Sequence, residues 1–251
     1  MSFDSKFLKT IAAGPKCKAG VLLMLSDKRL PKSRILLALV GSLLCFVSVK
    51  SAIAQGAAPW VGETLKGGPC PSRGQGYGPF DYLNRSALSQ QLYLVESAHF
   101  TPAVENLVKG NTGTLVGDLA YTLMAWPNHH RALNSMMREQ ARREASYLRS
   151  GNIPPMECYF QRAINYSSRD SMLFMLFGMF LHKTGHTEPA LSQYEKGESI
   201  SPDNLQLLYN KGLLLVDMGK FDQAEAIAEK VYAQDFPLPG LKKRLSRATR
   251  N

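Results

Sequence analysis

Three small residues in this chain return at one fixed offset. Gly178 recurs as Gly212, Gly185 as Gly219 and Ala190 as Ala224, each pair 34 positions apart. Small residues at that interval, set among apolar ones, call for stacked helical hairpins. A glycine permits two helices to cross closely, a second takes the left-handed turn between them, and an alanine lets the returning helix pack. With Ser171 as the first residue of a unit, Phe174 and Phe177 are the large apolar residues of the first helix and Gly178 marks the crossing. Gly185 then falls at the turn, Ala190 and Tyr194 lie in the second helix, and Pro202 closes the unit. The unit starting at Leu205 repeats this with Leu208, Gly212, Leu215, Gly219, Ala224 and, one place late, Pro237.

These positions resemble the tetratricopeptide repeat, a helix–turn–helix unit used to hold other proteins. A third unit, 137–170, is degenerate: Gly151 stands 34 before Gly185 and Phe160 34 before Tyr194, but Glu144 replaces the crossing glycine and Met156 the alanine. The expected fold is therefore all-α, a solenoid of about three tetratricopeptide-like repeats at 137–170, 171–204 and 205–238. Residues 239–251 read as a capping helix with a basic tail, which covers the apolar face of the last repeat. Upstream, 85–136 is expected to be helical. Thr101, Pro102 and Gly110 bracket a helix from Pro102 to Lys109, and a further helix runs from Asp118 to Ala125. Asn128 is a good N-cap for a helix from His129 to Leu148. The stretch from Leu88 to Glu96 fits helix or strand.

The formal charge of +10 is unevenly placed. Residues 1–54 hold nine Lys/Arg against Asp4 and Asp27, leaving the remainder close to balance. Lys242, Lys243, Arg244, Arg247 and Arg250 form a local cluster that reads as a solvated helix end, so no nucleic-acid partner is expected. The front end has the form of a secretory signal peptide. Lys32 and Arg34 precede an apolar run from Ile35 to Val49, and small residues place a cut after Ala54. That run of 15 residues is short of the ~20 needed to span a bilayer, so no retained membrane span is expected. Met24 would begin a leader of conventional length. The expected location is the periplasm or the exterior, with a mature chain from Gln55.

Cys17 and Cys45 leave with such a leader. Cys70 and Cys158 remain, and in an oxidising compartment they are expected as a disulfide, the alternative being two free thiols. From Gly56 to Pro79 there are seven Gly and four Pro, so 55–84 is expected to be irregular, with Trp60, Tyr77, Phe80 and Tyr82 anchoring it on an apolar surface. The Tyr-Gly-Pro-Phe-Asp-Tyr stretch (Tyr77 to Tyr82) and the Pro-Asn-His-His-Arg-Ala-Leu stretch (Pro127 to Leu133) resemble secreted bacterial tetratricopeptide-repeat proteins, a resemblance that carries fold and compartment and no activity.

In such repeats a groove is lined by the second, fifth, ninth, twelfth and thirteenth positions of each first helix. Here these are Met172, Met175, Met179, His182 and Lys183, then Gln206, Tyr209, Leu213, Val216 and Asp217. The methionines make an apolar, deformable face for a partner protein; alternatively the chain's own N-terminal segment fills the groove. The Lys/Asn arrangement that clamps a terminal carboxylate in some repeats is missing. His99, His129 and His130 are a weaker metal or small-ligand alternative. His129 and His130 diverge by about 100° on a helix, and Gly185 separates His182 from His186. Ser97, His99 and Asp118 are hydrolase residue types without a nucleophile elbow, and there is no phosphate loop or dinucleotide fingerprint. The expectation is a non-enzymatic protein-interaction module of the bacterial cell envelope, a scaffold or assembly factor without a cofactor.

Overall fold

Helical hairpins account for nearly everything that the computed structural model describes, namely residues 57–142 and 153–248. The helices are α1 Ser89–His99, α2 Pro102–Glu105, α3 Leu115–Ala125, α4 His130–Arg142, α5 Met156–Tyr166, α6 Ser171–Lys183, α7 Thr187–Ile200, α8 Leu205–Asp217, α9 Phe221–Tyr232 and α10 Gly240–Ala248. Among the described residues there is no strand, only an isolated bridge between Glu63 and Pro69. None of the described helices is long and apolar enough to cross a membrane. The leader, the start at Met24 and Glu144 lie outside the described residues.

Hairpins α6/α7 and α8/α9 are the two clear repeats, and each of their recurring residues does the work its spacing implies. Gly185 and Gly219 have φ of +82° and +72°, the left-handed conformation that a side chain resists. Each closes a Schellman motif: Gly185 N–H donates to His182 O and His186 N–H to Leu181 O, and Gly219 and Lys220 repeat this on Val216 and Leu215. Ala190 and Ala224 are fully buried. At Gly178 a Cβ would lie 2.8 Å from the Tyr194 ring, so the aromatic of α7 seats directly on the α6 backbone. The second repeat solves the same crossing differently. Ala228 stands where Tyr194 would be, and the space over Gly212 is taken by Leu241 of α10, to which a Cβ would approach within 2.6 Å. The cap thus inserts a leucine where the earlier repeat uses its own tyrosine.

The first helices α4, α6, α8 and α10 pack in succession, each against the next, and the hairpin α1/α3 continues the stack at the other end. One core runs through these layers from Val104 and Leu123 through Met136, Phe160 and Leu173 to Leu207 and Ala224. Ring stacking of Phe160 on Phe177, centroids 5.0 Å apart, joins α5 to α6.

Upstream boundaries differ from expectation for local reasons. Leu88 to Glu96 is helix, as part of α1. The helix expected over Pro102 to Lys109 stops at Glu105, because Leu107 turns left-handed at φ +61°. Leu107 N–H donates to Val104 O and Val108 N–H to Ala103 O, a Schellman closure without glycine that holds because the Leu107 side chain is buried. Helix α3 starts three residues earlier than expected, capped by Thr114, whose side chain accepts from Gly117 N–H. Asn128 is not the cap of α4: the His129 ring is, its Nδ1 accepting from Ala132 N–H at 3.1 Å. Helix α4 begins at His130, ahead of the repeat phase set by residue 137.

Gly178→Ala is expected to cost about 1–3 kcal/mol by crowding Tyr194, and Gly185→Ala about 1–2 kcal/mol by backbone strain alone. Urea unfolding in a Tyr194→Leu background separates the two, since only the Gly178 penalty shrinks when the ring is removed.

Candidate partner groove and the seams that frame it

The groove face begins at two well-made helix starts. Asp170 caps α6 by accepting from Met172 N–H, and Asn204 caps α8 by accepting from Leu207 N–H. From there Met172, Met179, Leu213 and Val216 are half-buried and pack on the cores beneath, leaving part of each side chain on the surface. Gln206 is likewise half-buried. Met175 and Tyr209 are buried at 5% and 7% exposure: Tyr209 stacks on Phe236 with centroids 5.0 Å apart, and its hydroxyl lies under Gly240. These two hold the groove floor. At the far end, His182 Nε2 meets Asp217 Oδ2 at 2.8 Å, and Arg244 Nη1 donates to both Asp217 oxygens at 2.6 and 2.7 Å. A ladder of side-chain contacts centred on Asp217 therefore ties α6, α8 and α10 along one edge.

The N-terminal segment wraps elsewhere. Trp60 packs edge-on to Tyr159 of α5, Phe80 lies on Trp126, and Tyr82 lies against His129 at 4.3 Å. Cys70 and Cys158 are disulfide-bonded, with Cα atoms 5.6 Å apart. Gly78, at φ +95°, runs so close to α3 that a Cβ would strike the Ala125 carbonyl, where Phe80 N–H donates at 2.8 Å. Among the described residues, none of the segment's hydrogen bonds or ring contacts reaches the methionine face.

Two polar seams hold the segment down, and neither is periodic in sequence. Arg162 is fully buried, yet its hydrogen-bond partners are four neutral oxygens. Nε donates to Ala58 O at 2.8 Å, Nη1 to Leu123 O at 2.8 Å, and Nη2 to Gln75 Oε1 at 2.7 Å and Met124 O at 3.3 Å. The Trp60 ring covers the guanidinium, 5.0 Å from centroid to Cζ. Burial lowers its pKa to about 10, so it stays charged at neutral pH. Leu123 and Met124 offer last-turn carbonyls of α3, the negative end of that helix. The second seam centres on Asn128. Its Oδ1 accepts from Tyr82 N–H at 2.8 Å, and its Nδ2 donates to Asp81 and Asp170 at 2.7 and 3.1 Å. His130 Nε2 reaches the same Asp170 at 2.7 Å.

The three histidines of the metal alternative do not converge. His130 is spent on Asp170. His129 is fully buried; with Nδ1 accepting an amide, Nε2 carries the proton and donates to Glu96 Oε1 at 3.0 Å. Burial lowers its pKa, against the pull of Glu96. His99 Nδ1 donates to Asp118 Oδ1 at 2.9 Å and its ring stacks on Tyr121. Among the described residues there is no group of three or more His, Cys, Asp or Glu placed to hold a metal ion. Asp118 does pair with His99 as the residue types suggested, but Ser97 has no hydrogen bond to either among the described residues. Asp118 instead fastens the loop before α3, accepting from the backbone N–H of Asn111 and Thr112 and the Thr112 hydroxyl. Burial pushes its carboxyl up, but hydrogen bonds from Thr112, His99 and the two amides outweigh this and hold it at about 2.

A tetratricopeptide-repeat family model matches residues 205–236, the hairpin α8/α9. None of the curated proteins matches the chain significantly.

Arg162→Met is expected to lower stability by about 3–5 kcal/mol, because the carbonyls it serves lose their donor; chemical denaturation measures this. For Asp118 the folded pKa lies below its ordinary 3.8, so its stabilising contribution is complete above that value and fades as pH falls toward 2. The gap in unfolding midpoint between wild type and Asp118→Asn is therefore expected to be constant above about pH 4 and to close below it.

Proposed function

We propose that this chain is a protein–protein interaction module of the bacterial cell envelope, a scaffold or assembly factor with no chemistry of its own, delivered by its leader to an oxidising compartment. The chain contains a tetratricopeptide repeat, a unit generally used for holding proteins rather than for catalysis. The observation that carries the reading is the half-buried apolar face of Met172, Met179, Leu213 and Val216 on successive first helices. Unbranched methionine side chains adapt to an apolar partner surface, and among the described residues the segment's aromatics pack beside α3, α4 and α5 instead. The Cys70–Cys158 bond supports export, since such bonds persist in oxidising compartments.

The test charges the exposed half of the face and leaves the floor alone. Met179→Glu with Leu213→Glu should keep the wild-type helix content while lowering capture of envelope proteins roughly tenfold or more. Undiminished capture by this folded variant refutes the groove as the binding surface. Mass spectrometry of the exported protein should show a chain from Gln55 with no thiol open to alkylation; two blocked thiols would refute the oxidised state.

A further inference from the structure

We infer that the cleft between α4 and α6 receives an acidic segment of a partner protein, seated by one bulky apolar side chain; this rests on the interaction reading above and names the chemistry of the partner. Charge in the stacked helices is sorted by layer. The first helices α4, α6, α8 and α10 carry nine Lys/Arg and two carboxylates, while the second helices α5, α7 and α9 carry three Lys/Arg and seven carboxylates. The whole chain holds 30 basic and 20 acidic residues, so overall excess does not account for a layer that is acidic beside one that is strongly basic. A surface carrying one sign of charge raises the local concentration of the opposite one and speeds its encounter.

The cleft is where the basic layer meets an apolar hollow. Its volume is about 640 Å³, within the size range of ligand sites. Leu107, Met137 and Phe180 form a buried floor, and Arg138, Arg142 and Lys183 stand around it, with no Asp or Glu in the lining among the described residues. Arg142 is turned toward Glu139 at 2.7 Å. Arg138 and Lys183 are exposed; Arg138 lies within electrostatic reach of Glu105, whose carboxyl it helps to lower, while its guanidinium stays at the surface. An apolar floor below a rim of exposed cations fits a Phe or Leu side chain with carboxylates beside it. Lys183 directly follows His182 on α6, so the cleft adjoins the groove face, and a chain lying along that face passes the cleft. This continuity favours a segment of a protein over a free amphiphile.

The probe is a short fluorescein-labelled peptide of Glu and Gly around one Phe, with a Gln-for-Glu counterpart, titrated into the mature chain and read by anisotropy. The Glu peptide is expected to bind roughly tenfold tighter than the Gln peptide, and to weaken with added salt. Arg138→Glu with Lys183→Glu should remove the preference, whereas Lys196→Glu with Lys230→Glu, in the acidic layer, should leave it. Equal binding of the two peptides, or a preference that survives the Arg138/Lys183 reversal, overturns the inference, as does saturable binding of laurate with neither peptide bound. Should the reversal variant not fold, Arg138→Gln with Lys183→Gln gives the same readout. Failure here with envelope capture still sensitive to Met179→Glu/Leu213→Glu leaves the interaction reading standing; loss of that sensitivity as well removes both.

Discussion

A guanidinium with no carboxylate partner organises the N-terminal half of this fold. Taking Arg162 out of water is costly, and nothing of opposite formal charge repays it. The cost is met by four oxygens and a tryptophan face drawn from two places: the segment, at Ala58, Trp60 and Gln75, and the end of α3, at Leu123 and Met124. None of these groups can leave without stranding the charge. The wrapped segment is therefore part of the solenoid. It closes the end of α3, whose last carbonyls would otherwise need water, and it packs along α5 through Trp60 and Cys70.

The seam around Asn128 completes this attachment by a different route. Two carboxylates, Asp81 and Asp170, share one amide, and His130 stands against one of them. The arrangement joins the end of the segment to the start of α4 and the start of α6. With the disulfide between Cys70 and Cys158, the segment is fixed at its beginning, middle and end. All of the histidines near this region have structural duties: one caps a helix, one meets Asp170 and one fastens the loop before α3.

This division leaves the two halves of the molecule with different characters. The buried polar groups and the disulfide lie before α6, where the chain departs from the regular repeat. The α6 to α10 half is regular and held by apolar packing, and it carries the groove. Its edge ladder of His182, Asp217 and Arg244 fixes the spacing of the first helices without occupying the methionine face. The exchange of roles between Tyr194 and Leu241 shows how a regular array ends: the crossing glycine is kept, and the group that seats on it comes from the cap.

Periodicity made the repeats legible. Gly178, Gly185, Ala190 and their partners 34 residues on each have one backbone or packing requirement that only a small residue meets, so spacing alone placed the crossing, the turn and the packed alanine. The pairing of Cys70 with Cys158 followed from counting thiols, and the aromatics of the segment were recognisable as anchors. Boundaries in α2 to α4 were less legible, because a buried Leu107 takes a turn that glycine normally marks and a histidine ring caps a helix in place of the asparagine beside it. Arg162 gave no sequence signal at all: its partners lie 39 and 104 positions away at Leu123 and Ala58, and a lone arginine on an amphipathic helix looks the same whether it faces water or carbonyls. Which groove positions are surface and which are floor was likewise decided in three dimensions, since α10 folds over Tyr209 and the core closes on Met175. Local sequence sets what a residue can do within its own helix; long-range packing sets what faces it, and the proposed binding surface is made of the second kind of fact.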